Sequence, residues 1–245
     1  MRHAVISDIH SNLEALDAVL AEIDGLGVDR IVSLGDAVGY NANPNECVRI
    51  LCERNIPTLM GNHDAVAAGL EEPDNFNAAA RRAVLWTRHV LDKGNALFLR
   101  EQPESRTVAD GVRLVHGSLL HRDHYLLSKL DLKENVLRMQ GVRPEIRLVF
   151  FGHTHYQVAY LAQGNELSLV PGKTIHLEEN TYCIVNPGSV GQPRDRDARA
   201  AFLIYDDTAG TIELLRTSYD IDACTQKIIS AGLPHELAER LYKGW

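Results

Sequence analysis

No run in this sequence approaches the ~18 consecutive apolar residues that a membrane helix requires, so a bilayer-spanning chain is not predicted. The start, Met1-Arg2-His3, leads straight into a strand-like run. It has neither the apolar region nor the small-residue cleavage site of a secretory leader. CxxC pairs are missing as well. Of Cys47, Cys52, Cys183 and Cys224, the first two fall in one predicted helix and are expected as small core hydrophobes in a reduced, cytoplasmic setting. Basic clusters are absent too, and the net charge is -8. Non-specific nucleic-acid binding relies on Lys/Arg clusters that neutralise phosphates, so it is not expected. An acidic chain that acts on phosphates must gather positive charge locally, as bound metal ions would. No linker or low-complexity segment interrupts the 245 residues. One domain over 1–245 is expected, with 219–245 a C-terminal helical pair packed on it. The oligomeric state is left open.

What is present is a repeated grammar. Five apolar runs of strand length stop abruptly at metal-competent residues. Ala4 to Ser7 meets Asp8-Ile9-His10, and Ile31 to Leu34 meets Gly35-Asp36. Ile56 to Met60 meets Gly61-Asn62-His63-Asp64, Val112 to Val115 meets His116-Gly117, and Ile146 to Phe151 meets Gly152-His153-Thr154-His155. Short Val/Ile-rich runs read as buried strands, and ligands of layered α/β proteins sit beyond the carboxyl ends of such strands. Five such ends can converge on one site.

Helix signals lie between them. Ser11-Asn12-Leu13-Glu14 is a capping box followed by Leu13, Leu16, Leu20 and Ile23, and Gly25 and Gly27 close that helix. Asn43-Pro44-Asn45-Glu46 opens a second helix with proline at its first position. Asn77 to Leu91 is a third, ended near Gly94. The order so far is β-α-β-α-β-α. Asp110-Gly111 predicts a hairpin turn between 105–109 and 112–116. From Ile146 to Leu215 the chain reads mainly as strands, with turns at Gln163-Gly164-Asn165, Pro171-Gly172, Glu179-Asn180 and Thr208-Ala209-Gly210. Two short helices broken at Gly232-Leu233-Pro234 finish it. Two sheets with helices outside is the natural packing.

The chemistry follows from spacing. Asp8-x-His10 and His153-x-His155 each place two ligands on one face past a strand. Asp36 sits in a glycine-flanked turn where its carboxylate could bridge two ions, and Asn62 adds a neutral amide oxygen. This mixture is too nitrogen-rich for Ca or Mg and suits transition metals: Mn, Fe, Co or Zn. Two ions about 4 Å apart clamp a phosphoryl group and activate the attacking oxygen.

In order, D-x-H at 8–10, G-D-x-x-G at 35–39, G-N-H-D at 61–64, H-G at 116–117 and G-H-x-H at 152–155 resemble the calcineurin-like metallophosphoesterase superfamily. The stretch from Asn186 to Arg194, N-P-G-S-x-G-x-P-R, is similar to its small prokaryotic phosphodiesterase branch. With Gly39-Tyr40 and the terminal helix pair, the resemblance covers nearly the whole chain. It implies an α/β fold, a four-layer α-β-β-α sandwich of two mixed sheets flanked by helices. It implies that Asp8, His10 and His155 hold one metal, that Asp36 bridges, and that Asn62, His116 and His153 hold the other. The cofactors would be two di- or trivalent ions of Mn, Fe or Zn. It also implies that His63 is the catalytic acid, protonating the leaving oxygen or stabilising phosphoryl charge. Asp64 would orient its imidazole and favour its charged form. Arg194, at the rim, becomes a candidate phosphate contact. The expected substrate is a small phosphate ester or nucleotide-like molecule, with a diester favoured over a monoester. A dinucleoside polyphosphate hydrolase, a protein Ser/Thr phosphatase and a non-catalytic metal-binding scaffold are the alternatives.

Several residues carry plainer readings. Ser11 and Asn12 are better helix caps than substrate contacts, although Asn12 lies where a phosphate would be favoured. Gly172-Lys173-Thr174 is not a phosphate loop, because Leu167 stands where its first glycine should be; a hairpin turn is expected. The branch commonly reads H-G-S-P-R-D where this chain reads H-G-S-L-L-H-R-D-H. Here His121, Arg122, His124 and Tyr125 are candidates to line the substrate pocket, Arg122 and His124 foremost. His3, His89, His176 and His235 stand outside every motif, and Trp86 is expected in the core.

Overall fold

The strands explain their own placement. In a computed structural model describing residues 1–142, 145–164 and 166–245, strand β1 (Arg2–Ile6) directs Ala4 and Ile6 to one side and Val5 to the other. That alternation is the period of a strand buried on both faces. The same split recurs in β10 (Ala200–Asp206), with Phe202 and Ile204 opposite Leu203 and Tyr205. In β4 (Val112–Val115) and β5 (Leu148–Phe150), Leu114, Leu148 and Phe150 turn one way, Val115 and Val149 the other.

These faces define four layers. Helices α1 (Leu13–Gly25) and α2 (Pro44–Glu53) cover the outer face of a five-stranded sheet, order β2-β1-β10-β11-β8. Here β2 is Arg30–Ser33, β8 Thr174–His176 and β11 Thr211–Thr217. Its inner face meets a six-stranded sheet, order β3-β4-β5-β9-β6-β7. There β3 is Ser105–Ala109, β6 Gln157–Gln163, β7 Glu166–Leu169 and β9 Tyr182–Pro187. Helix α6 (Lys129–Gly141) closes the far side through Leu132, Val136 and Met139. Both sheets are mixed. The parallel neighbours are β1 with β2, β4 with β5, and β5 with β9. Parallel strands end at the same edge, so the chain leaves β1, β2, β4, β5 and β9 on one side of the sandwich.

The helices α3 (Asn62–Ala67), α4 (Ala78–Val90) and α5 (Lys93–Arg100) precede β3. The terminal pair α7 (Ile221–Ser230) and α8 (His235–Lys243) packs Cys224, Ile228, Leu237 and Leu241 against Tyr40, Ala80 and Ala83. Among the described residues, no helix is long and apolar enough to cross a membrane.

Local expectations fail in five places. Ile56 to Met60 forms no strand; it touches β2 through a single bridge, Ser33 with Thr58. Pro57 removes a donor from that ladder. The cap of α1 is Asn12 rather than Ser11, since its side chain accepts from Ala15 N at 3.1 Å. Gly94 lies within α5 instead of ending α4. Pro171-Gly172 links β7 to β8 across the two sheets, so it is a crossover and not a hairpin turn. Cys47 is buried as expected, but Cys52 is exposed. Of the turn expected at 163–165, Asn165 lies outside the described residues.

Candidate metal centre

Beyond the strand ends the backbone turns sharply. Asp8, His10, Asp36, His153 and His155 all adopt positive φ, between 48° and 64°. That left-handed conformation costs about 1–3 kcal/mol at an ordinary residue and clusters at functional sites. Backbone bonds hold these turns: Asp8 N donates to Gly35 O (3.0 Å) and His10 N to Asp36 O (2.9 Å). The segment after β9 fastens them, with Val190 N on Ser7 O (2.9 Å) and Gly191 N on Asp8 O (2.9 Å). Ser189 Oγ donates to Asp8 O (2.8 Å) and Asn186 Nδ2 to Gly152 O (2.8 Å).

The side chains then converge. Asp8, His10 and His155 present ligand atoms within 4.8 Å of one another, as do Asp36, His116 and His153. His155 Nε2 lies 3.3 Å from Asp8 Oδ1. Asp36 Oδ2 faces both groups, 3.6 Å from His10 Nε2 and 3.3 Å from His116 Nε2. Asn62 Oδ1 stands 3.3 Å from His116 Nε2. All seven side chains expected as ligands are buried and meet at one place.

The donor set fits metal ions. Each imidazole gives one ring nitrogen to a backbone carbonyl: His10 Nδ1 to Val38 O (3.0 Å), His116 Nδ1 to Leu34 O (2.9 Å), His155 Nδ1 to Gln192 O (2.6 Å) and His153 Nε2 to Asp123 O (3.2 Å). Such bonds fix the tautomer and leave the other nitrogen as a lone-pair donor. His10 Nε2 and His155 Nε2 then face each other at 3.1 Å. Two lone pairs aimed together at that distance repel unless a cation lies between them. Although burial opposes ionisation, the His155 and His116 imidazoles hold Asp8 well below the usual carboxylate range. His116 is pushed up to about 9, the nearby Asp36 outweighing burial.

The glycines beside the cluster leave no room. A Cβ on Gly61 would lie 2.0 Å from Asp36 Oδ1 and 2.4 Å from Asp36 N. Gly61→Ala is therefore expected to displace this carboxylate and cost about 1–3 kcal/mol of stability, the usual range for overpacking. Urea denaturation of the two proteins checks it; equal midpoints would refute it.

Several expected roles change. Among the described residues, Asp64 makes no hydrogen bond or ion pair with the His63 ring. Its Oδ2 accepts from Gly61 N (3.0 Å) and its Oδ1 from Val38 N (3.1 Å), so it ties the loop after β2 to the start of α3. Burial, then the nearby Asp36, raises its pKa to about 7. The His63 imidazole packs among Tyr40, Phe76 and His10, with ring centroids 4.5, 4.6 and 4.8 Å away. Burial pushes it down to about 4, so the expected favouring of imidazolium by Asp64 does not hold. Arg122 is engaged with Glu71 and Asp123 (2.7 Å each), and not with the cleft. His124 turns away, with Nδ1 on Ser118 Oγ (3.2 Å) and Nε2 3.8 Å from Asp131. Asn12 is fully buried, its Nδ2 donating to Gly191 O (2.9 Å). Both its polar atoms are used inside the fold.

A cleft of about 210 Å³ opens onto Asn62, His63 and His153, walled by Tyr40, Phe76 and Tyr125. Asn75 and Phe76 carry no signal of their own in the sequence, since they read as the approach to Asn77, the cap of α4. Arg194 is half-buried beside this cleft, with Nη2 on Tyr40 OH (3.2 Å) and Gln192 Oε1 (2.9 Å). Among the described residues its Nε has no hydrogen-bond partner.

Comparison with known proteins agrees with this geometry. A family model described as the calcineurin-like phosphoesterase superfamily domain matches residues 1–209. The protein MJ0912 of Methanocaldococcus jannaschii is 41% identical over 98% of this chain and 97% of its own. Among solved structures, a metallophosphoesterase from Sphaerobacter thermophilus is 34% identical with TM-score 0.85, covering 100% of both chains. The protein PH1004 of Pyrococcus horikoshii, 20% identical, has TM-score 0.82 over 100% of this chain and 98% of its own, a likeness of fold.

Proposed function

We propose, for a chain that belongs to the calcineurin-like phosphoesterase superfamily, that it is a dinuclear phosphodiesterase acting on a small or nucleotide-like ester. The observation that carries the reading is the shared Asp36 carboxylate between two groups of imidazoles. Asp8, His10 and His155 would hold one ion, and Asn62, His116 and His153 the other, with Asp36 common to both. Mn, Fe or Zn fits this nitrogen-rich set. Such ions supply Lewis acidity to the phosphoryl group and a strong nucleophile at neutral pH.

The protein's own residues do the rest. Arg194 reaches a phosphoryl oxygen with its unengaged edge, as its planar fork allows. His63 gives a proton to the leaving oxygen. The approaching phosphoryl anion, in place of Asp64, raises the affinity of this buried ring for that proton. Asp64 positions the ring through the backbone of α3. Three aromatic rings, Tyr40, Phe76 and Tyr125, line the cleft, with the Arg194 guanidinium beside it for the phosphoryl group. Such a wall suits the second organic substituent of a monoanionic diester better than the extra charge of a monoester.

The test is turnover of bis-p-nitrophenyl phosphate against p-nitrophenyl phosphate by protein supplemented with Mn2+ or Zn2+. The diester is expected to be hydrolysed faster. Preference for the monoester would overturn the diesterase assignment. Protein that can be loaded with no metal would overturn the dinuclear reading altogether.

A further inference from the structure

His153 differs from the other three histidines in what holds it. Val38, Leu34 and Gln192, whose carbonyls take the outer nitrogens of His10, His116 and His155, lie in tightly braced turns. Leu34 N itself donates to Ile6 O (2.9 Å), and Gln192 N to Ser189 Oγ (2.8 Å). The carbonyl that receives His153 Nε2 belongs to Asp123, in a loop between β4 and α6 that pairs with no strand. The same loop lays the Tyr125 ring over the imidazole, with centroids 3.8 Å apart at 30°. Position and tautomer of His153 therefore depend on what fixes this loop.

Arg122 fixes it. Its side chain is only 5% exposed, while the carboxylates around it reach solvent: Glu71 is 44%, Asp123 37% and Glu104 68% exposed. Its Nη2 donates to both Glu71 oxygens (2.7 Å) and its Nε to Asp123 Oδ1 (2.7 Å). Nη1 lies 3.6 Å from Glu104 and 3.8 Å from Met60 Sδ. Met60 leads into Asn62 two residues on. One guanidinium thus braces both approaches to the group formed by Asn62, His116 and His153. Gly117 permits the tight return, since a Cβ there would lie 2.1 Å from Arg122 O.

We infer that Arg122 is a positioning residue for one of the two metal positions, holding His153 in place through the Asp123 carbonyl. The inference rests on the dinuclear reading above. Removal of such outer partners typically weakens metal binding about 10–100-fold, and here the loss should fall on one position alone. Arg122→Met keeps the bulk of the side chain and leaves behind carboxylates that water can solvate.

The experiment is calorimetric titration of apoprotein with Co2+, with apoprotein melting followed in parallel. Wild type is expected to bind two ions. Arg122→Met is expected to bind one as before and the other about 10–100-fold more weakly, and Arg122→Lys should fall between. Glu71→Gln, which alters only an exposed partner, should shift the same event less; it also serves if Arg122→Met does not fold. His153→Ala identifies the event, and in its background Arg122→Met should weaken it further by clearly less than it does alone, because residues acting through one contact are non-additive. Equal weakening of both events, an unchanged second event, or full additivity with His153→Ala would overturn the inference while leaving two metal positions standing. A wild-type protein that takes up no Co2+ would overturn the dinuclear reading, and the inference with it.

Discussion

Asp36→Asn is expected to leave a folded protein that retains neither metal ion after dialysis and has lost at least ~10³-fold in turnover, equivalent to roughly 4 kcal/mol of barrier. The reason is placement. Of the seven converging side chains, Asp8 and Asp36 alone carry negative charge, and Asp36 Oδ2 is the oxygen near both His10 Nε2 and His116 Nε2. Changing it to an amide removes half of the anionic charge and strikes both positions together. Its other oxygen accepts from His63 N at 2.9 Å, a bond that the asparagine oxygen can keep, so the start of α3 should survive. Metal analysis beside far-UV circular dichroism is the check. A variant that keeps two ions and wild-type turnover would remove Asp36 from the bridging role.

His63→Ala should behave in the opposite way: both ions bound, turnover lowered about 10²–10⁴-fold, the usual contribution of a general acid. Among the described residues the imidazole makes no hydrogen bond. Its Nδ1 is buried without a partner, pressed towards Gly39, where a Cβ would approach to 2.4 Å. The ring is held by packing against Tyr40 and Phe76, which leaves its polar function for the cleft. If it protonates the leaving oxygen, the loss must grow with the pKa of the leaving group, because good leaving groups need little help. A series of aryl and alkyl diesters measures this. An equal loss across the series would refute proton donation, and wild-type rates with alkyl esters would remove His63 from the chemistry.

The layers and the candidate cluster could be read from the sequence because all of the expected ligands but Asn62 sit directly behind a buried strand. Short apolar runs, buried on both faces, announce β1, β4 and β5, and a polar residue marks where each stops. What remained illegible depends on contacts between distant residues. Arg122 and His124 share a loop with Tyr125, yet only Tyr125 faces the cleft. Glu71, which captures Arg122, is 51 positions away, and no local pattern encodes that pairing. Asp64 follows His63 on a helix, and adjacent helical residues do not face each other, so it does not orient that ring directly. The run from Ile56 to Met60 has the composition of a strand, but a proline and a place beside β2 reduce it to one bridge. The Pro171-Gly172 turn looks the same locally whether it folds a strand back or carries it to another sheet.

The left-handed turns at Asp8, His10, Asp36, His153 and His155 also constrain how this site can evolve. Few side chains tolerate that backbone: glycine readily, and asparagine, aspartate and histidine more often than the rest. Elsewhere the conformation costs about 1–2 kcal/mol at each position. Donor chemistry and backbone geometry therefore draw on the same small alphabet of residues. Glutamate, the other carboxylate, carries an added methylene and lacks aspartate's ease in these turns, so exchanging one acid for the other is not a neutral step. A descendant that abandoned the chemistry would drift most easily to asparagine or glycine at these positions, keeping its turns while losing its ligands.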